Sequence, residues 1–76
     1  MTIYDLLYCM DNMNFNIIVQ NDALIDEEGE GVDFEGEISV FKDDLLFDEL
    51  QFEEVTDLYT LADGRMVICY CDEERD

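Results

Sequence analysis

The sequence predicts a single small α+β domain over residues 1–76: an N-terminal helix, an antiparallel sheet of about four strands, a short second helix and a C-terminal hairpin. Three observations carry this. Ile3, Leu6, Leu7 and Met10 recur at the spacing of one helix face. Val32, Phe34, Gly36, Ile38 and Val40 alternate with Asp33, Glu35, Glu37 and Ser39, the period of a strand buried on one side. Asp63-Gly64 parts two apolar runs, as in a tight hairpin.

Taken in order, Thr2-Ile3-Tyr4-Asp5 has the spacing of a capping box, with aspartate where glutamate is usual, and opens a helix over 3–11. Asp11-Asn12-Met13-Asn14 breaks it. Phe15 to Gln20, rich in aliphatic and β-branched side chains, reads as a strand. Asn21-Asp22 can turn the chain, and 26–31, with adjacent carboxylates and two glycines, reads as a loop. The alternating segment 32–40 is the clearest strand. Its outward row, Asp33, Glu35 and Glu37, would repeat every ~6.6 Å, near the phosphate spacing of one DNA strand. Asp43-Asp44 suits a helix N-terminus, so a short helix is expected through Leu50 or Gln51. A two-residue type I′ turn at Asp63-Gly64 would set Leu61 opposite Met66, Tyr59 opposite Ile68 and Leu58 opposite Cys69.

The chain carries 22 acidic and 3 basic residues and no histidine, for a net charge of −19. The acids crowd between Asp26 and Asp57, yet Phe34, Phe41, Phe47, Leu50 and Val55 are threaded among them. Disorder combines high charge with low hydrophobicity. Here 49% of the residues are hydrophobic, so a folded domain with a charged skin is expected. Duplex DNA carries one charge about every 1.7 Å, so a net −19 matches roughly 32 Å of duplex, and a globule of this length is about 30 Å across. Such a balance argues against direct binding of nucleic acid or an anionic membrane and points to a basic protein surface. It also repels itself, so moderate salt or mild acid should stabilise the fold. No basic n-region or long apolar core opens the chain, and the longest apolar run, Met66 to Cys71, is well short of the ~20 residues of a membrane span. A cytoplasmic protein with 3 free cysteines is expected.

Without histidine the commonest general base is missing, and there is no nucleophile motif or glycine-rich phosphate loop. Paired carboxylates can cleave glycosides, but they need a cleft that separates their pKa values. No catalytic residue is assigned, and the protein is not expected to be an enzyme. Counted from Asp26, the residues Glu28, Glu30, Gly31 and Glu37 fall on EF-hand positions. Glutamates replace the shorter ligands there and strand-like sequence flanks them, so no metal or cofactor is assigned. Cys69 and Cys71 read as small buried residues rather than ligands, since no histidine completes a tetrahedral site.

The candidate partner-binding residues are the acids themselves: Asp26, Glu27, Glu28, Glu30, Asp33, Glu35, Glu37, Asp43, Asp44, Asp48, Glu49, Glu53 and Glu54. An ordinary charge run is a solvated face, and a net charge of ~2–8 suffices to keep a small domain soluble. A net −19 exceeds that. The excess favours a rigid array of carboxylates that competes with phosphates for lysine and arginine side chains. Tyr4 and Tyr8 read either as core or as exposed anchors within such an interface, and Phe47 as core.

Four pieces, in this order, resemble small proteins of phages and mobile elements of Gram-positive bacteria: Met1-Thr2-Ile3-Tyr4-Asp5-Leu6-Leu7, Phe34-Glu35-Gly36, Val55-Thr56-Asp57-Leu58 and Asp63-Gly64-Arg65-Met66-Val67-Ile68. Those proteins join their two central strands tightly, so 26–31 reads as an acidic insertion. The resemblance implies a mobile-element setting. By size and charge the chain is similar to the acidic DNA mimics of the anti-CRISPR and anti-restriction class, an analogy of behaviour rather than of fold. It implies a phage-type inhibitor that acts in the host bacterial cytoplasm on the nucleic-acid groove of a CRISPR effector or another defence nuclease. The alternative is a non-catalytic structural or assembly module of a mobile element, homo-oligomeric or not, acidic for solubility.

Overall fold

The structure, a computed structural model, describes residues 1–23 and 31–72. Its elements are α1 Ile3–Tyr8, β1 Asn16–Asn21, β2 Val32–Glu37, α2 Ile38–Lys42, α3 Leu45–Leu50, β3 Val55–Thr60 and β4 Met66–Tyr70. The strands form one sheet in the order β2-β1-β4-β3, and the helices pack against one side of it. The α+β class, the N-terminal helix, the four strands and the C-terminal hairpin stand as the sequence predicts.

α1 opens on its capping box. Thr2 Oγ1 accepts from Asp5 N at 3.1 Å, and Thr2 N donates to Asp5 Oδ2 at 3.2 Å. Ile3, Leu6 and Leu7 turn inward. They meet Ile17 and Val19 of β1, Met66, Ile68 and Tyr70 of β4, Ile38 and Phe41 of α2, and Phe47 and Leu50 of α3 in one core. Ile18, Val67 and Cys69, with Leu61 against them, form a smaller cluster on the other side of the sheet. The two central strands are therefore buried on both faces, which is why β4 reads as an unbroken apolar run.

Three features depart from the sequence reading. The sheet is mixed: β1 pairs antiparallel with β2, and β3 with β4, but β1 and β4 lie parallel, with Ile17 opposite Met66 and Asn21 opposite Tyr70. A hairpin signal fixes only the direction of sequence neighbours, whereas this pair meets through a long crossover. The strand expected over 32–40 stops at Glu37, and Ile38–Lys42 is a helical turn. Ile38 N donates to Phe15 O at 3.1 Å and Ser39 N to Met13 O at 2.9 Å, so the chain leaves the sheet to bury Ile38 and Phe41 together while Val40 faces solvent.

The hairpin is shifted by one residue. Thr60 lies opposite Met66, Tyr59 opposite Val67 and Leu58 opposite Ile68. The loop is Ala62-Asp63-Gly64, with Gly64 N donating to Leu61 O at 3.0 Å and Leu61 N to Arg65 O at 2.8 Å. Gly64 has φ +95°, the left-handed residue that closes a three-residue loop. A shift of one carries the side chains of Asp57 to Thr60 to the other face, so Tyr59 sits beside Val67 and away from the helices, while a second slip between Val55 and Asp57 keeps Val55 against the core.

Asn21 is the buried polar residue of the described core. Its Oδ1 accepts from Ala23 N and Asp72 N, both at 3.0 Å, and its Nδ2 donates to Asp72 O at 2.8 Å. The side-chain amide thus acts as one more strand neighbour, tying the end of β1 to the chain leaving β4.

Candidate functional site

The thirteen candidate acids do not form one row. Asp26, Glu27, Glu28 and Glu30 lie outside the described residues. On β2, the pairing with β1 slips between Val19 and Gln20, leaving Asp33 as the extra residue of a bulge. Asp33 consequently turns toward the helical side, where the hydroxyl of the fully buried Tyr70 donates to its Oδ2. Glu35 points to the opposite side and accepts from Arg65 Nη1. Glu37 is half-buried at the start of α2. The expected outward row of three carboxylates is therefore broken: its first member belongs to the packed side and its second is held by an arginine. A bulge has no signature in an alternating pattern, which is why the sequence reading missed it.

Gly36 explains the edge of this strand. Its φ is +155°, and a Cβ there would stand 3.2 Å from Phe34 Cζ, because the Phe34 ring folds over it. That ring then meets Phe41 at 4.8 Å, fixing β2 to the helical layer.

The other acids ride on the helical layer and the chain leading from it. Asp44 caps α3, its Oδ1 accepting from Leu46 N at 2.9 Å, as the sequence predicts. Asp43, Asp48 and Glu49 are exposed around it. Glu53 is half-buried, and Glu54 is exposed and takes the N-terminal ammonium at 3.0 Å.

Both basic residues in the described chain sit against groups of the same molecule. Lys42 Nζ stands 3.9 Å from the centre of the Tyr8 ring and 3.5 Å from Met13 Sδ. Arg65 holds Asp63, with Nε to Oδ2 at 2.8 Å, as well as Glu35.

Beside these acids lies a row of rings. Tyr4 and Tyr8 stack at 4.4 Å, and Phe52 lies 6.3 Å from Tyr4. Phe47 lies 6.5 Å from each tyrosine and is buried as expected. Tyr4 and Tyr8 are exposed, which settles the two readings of them in favour of the surface. Phe52 is 75% exposed and was not singled out by the sequence. Its signal was available in the Gln51-Phe52-Glu53 context, a lone aromatic among polar residues just after a helix end.

A shallow polar cleft by the hairpin is lined by Asn12, Asn14, Asn16, Asp63 and Arg65. Asp63 accepts from Arg65 N, and that bond together with the guanidinium holds its carboxyl below the usual 3.8. A general acid at neutral pH needs the opposite displacement. Among the described residues no three acidic or cysteine side chains cluster as metal ligands do. The EF-hand spacing begins outside the described residues, and its second half is strand β2.

Of the cysteines, Cys69 is buried, and burial pushes its thiol up. Cys71 is exposed rather than buried, because β4 ends at Tyr70. No helix of the described chain is long and apolar enough to cross a membrane. Comparison with protein-family models, curated proteins and solved structures finds no match to this chain.

Proposed function

We propose that this chain is an inhibitor that occupies the basic, nucleic-acid-binding groove of a host defence nuclease in place of the polynucleotide, with a CRISPR effector the first target to test. The observation that carries this reading is the density of its charge. The described residues hold 15 acidic and 2 basic side chains, a net −13, in a body whose longest extent is 32 Å. Duplex of that length carries roughly 19 charges, so the described body alone reaches about two-thirds of that density. Lys42 and Arg65 are already engaged inside the fold, so neither is presented as a counter-charge to a partner. The setting is that of the phage and mobile-element proteins the sequence resembles. Long-range attraction would give a fast, salt-sensitive encounter, with a few contacts deciding which groove is held.

Direct competition tests it. Purified protein is titrated into a nuclease loaded with labelled DNA or guide RNA, at low and at moderate salt. Release of the nucleic acid that weakens with salt is expected. Neutralising Asp43, Asp48 and Glu49 together should weaken release more than neutralising Glu35 and Glu37. A panel of basic nucleases that all keep their nucleic acid, alongside self-association of the chain, would favour the assembly module instead.

A further inference from the structure

The helical layer exposes a row of rings, of which Phe52 is the most open. Tyr4 and Tyr8, one helical turn apart on α1, stack at 4.4 Å with 28° between their planes, and Phe52 extends the row at 6.3 Å from Tyr4. Tyr8 is 58% and Phe52 75% exposed. One ring face already holds a cation, the Lys42 ammonium at 3.9 Å from the Tyr8 centroid, so the surface has the chemistry of a cation site as well as an apolar one. Asp5 and Asp44 are exposed, but each is bound by its own helix, to Thr2 N and Leu46 N. A second copy of this chain is a poor occupant, because each would bring a net −19 to the contact. The same charge disfavours anionic lipid and nucleic acid.

We propose that the Tyr4–Tyr8–Phe52 surface docks an arginine-bearing basic segment of a protein partner, with guanidinium planes stacked on Phe52 and beside the Tyr4–Tyr8 pair and drawn there by the chain's net negative charge. Arginine is selected over lysine because its guanidinium is flat, weakly hydrated and able to stack. This rests on the reading that the partner is basic. It adds which side of the molecule meets that partner and which cation is recognised.

The test uses the full chain and two probes, a short arginine peptide and a lysine peptide of equal length, titrated at about 0.15 M salt and followed by NMR. The arginine peptide should bind about fivefold more tightly, with shifts centred on Tyr4, Tyr8 and Phe52. Phe52→Ser should remove most of that preference while leaving lysine binding unchanged. Phe52 is mostly solvent-exposed, so the fold survives the change, and the melting temperature checks this. Tyr4→Leu, which keeps bulk but loses the ring, should act the same way. Equal affinity for the two peptides, or a preference that survives both substitutions, overturns the docking surface and leaves the basic-partner reading standing. Failure of both peptides to bind overturns both.

Discussion

β2 and α3 are both short, both acidic and both packed through a phenylalanine onto Phe41, yet they use their carboxylates differently. On β2, Asp33 is drawn in by the Tyr70 hydroxyl and Glu35 by Arg65, so these charges hold the sheet together. On α3, Asp44 caps the helix, while Asp48 faces water. The number of acids in a segment therefore says little about how many it offers to a partner. What decides is whether the fold supplies a donor of its own. By that measure the helical side, with its aromatic row, is the better interface and β2 the better strut.

The largest effect comes from the residue that joins the two regions. The Phe41 ring lies 4.8 Å from Phe34 of β2 and 5.4 Å from Phe47 of α3, and it is fully buried. Phe41→Ala should cost about 3–5 kcal/mol, out of the roughly 4–11 kcal/mol that a domain of this length holds. Urea unfolding should show a protein at the edge of stability, with both regions lost in one transition. Survival of α3 after β2 has melted would show that the two do not share a frame.

A smaller effect separates strut from interface. Asp33→Ala removes an acceptor from the buried Tyr70 hydroxyl and should cost about 1–3 kcal/mol. Asp48→Asn, at an exposed position, should stay within about 0.5 kcal/mol. Nuclease competition should show the reverse order, with Asp48 mattering more. Equal stability losses at the two sites would erase the distinction drawn between β2 and α3.

This distinction was only partly legible in the sequence. Signals confined to a few neighbouring residues came through: the Thr2–Asp5 box, the Asp44 cap, and a turn at Asp63-Gly64. Outcomes that depend on distant residues did not. Ile38 and Val40 fit a strand's alternation as well as a helical turn, and the choice was made by bonds from Ile38 and Ser39 to Phe15 and Met13. The bulge that turns Asp33 inward, and the parallel pairing of β1 with β4, leave no local trace. The hairpin register hinged on whether Ala62 belonged to strand or loop, and that one residue moved Tyr59 across the sheet. Charge and size were read directly, and the body's radius of gyration is 11.6 Å.

The thiols offer a third comparison, between Cys69, buried on the sheet face away from the helices, and two exposed cysteines. Cys69 sits with Ile18 and Val67, while Cys9 and Cys71 are exposed. Alkylation of the native protein should modify Cys9 and Cys71 promptly and Cys69 on the order of 100-fold more slowly, the rate then following local opening. Burial also raises the Cys69 thiol, so less thiolate is present at neutral pH. Labelling of all three at one rate would mean that this face opens readily, and that Glu35 and Arg65 do little to fasten it.

The smallest effect tests the sign of a single charge. Mutual repulsion should make the whole domain gain stability in mild acid. Asp63 should behave oppositely, because Arg65 N and the Arg65 guanidinium favour its ionised form and lower its pKa from 3.8. A carboxyl lowered in the folded state contributes stability that is fully present above its unfolded pKa and is lost as pH falls through the folded value. The hairpin should thus keep this contribution throughout the mild-acid range and give it up only in stronger acid, below 3.8. A carbon-detected NMR titration should place the Asp63 midpoint below 3.8, and Arg65→Gln should raise it. If the midpoint stayed at or above 3.8, Arg65 would be a loose surface cation rather than a fastener, and the contrast between held and offered carboxylates would fail on the sheet side first.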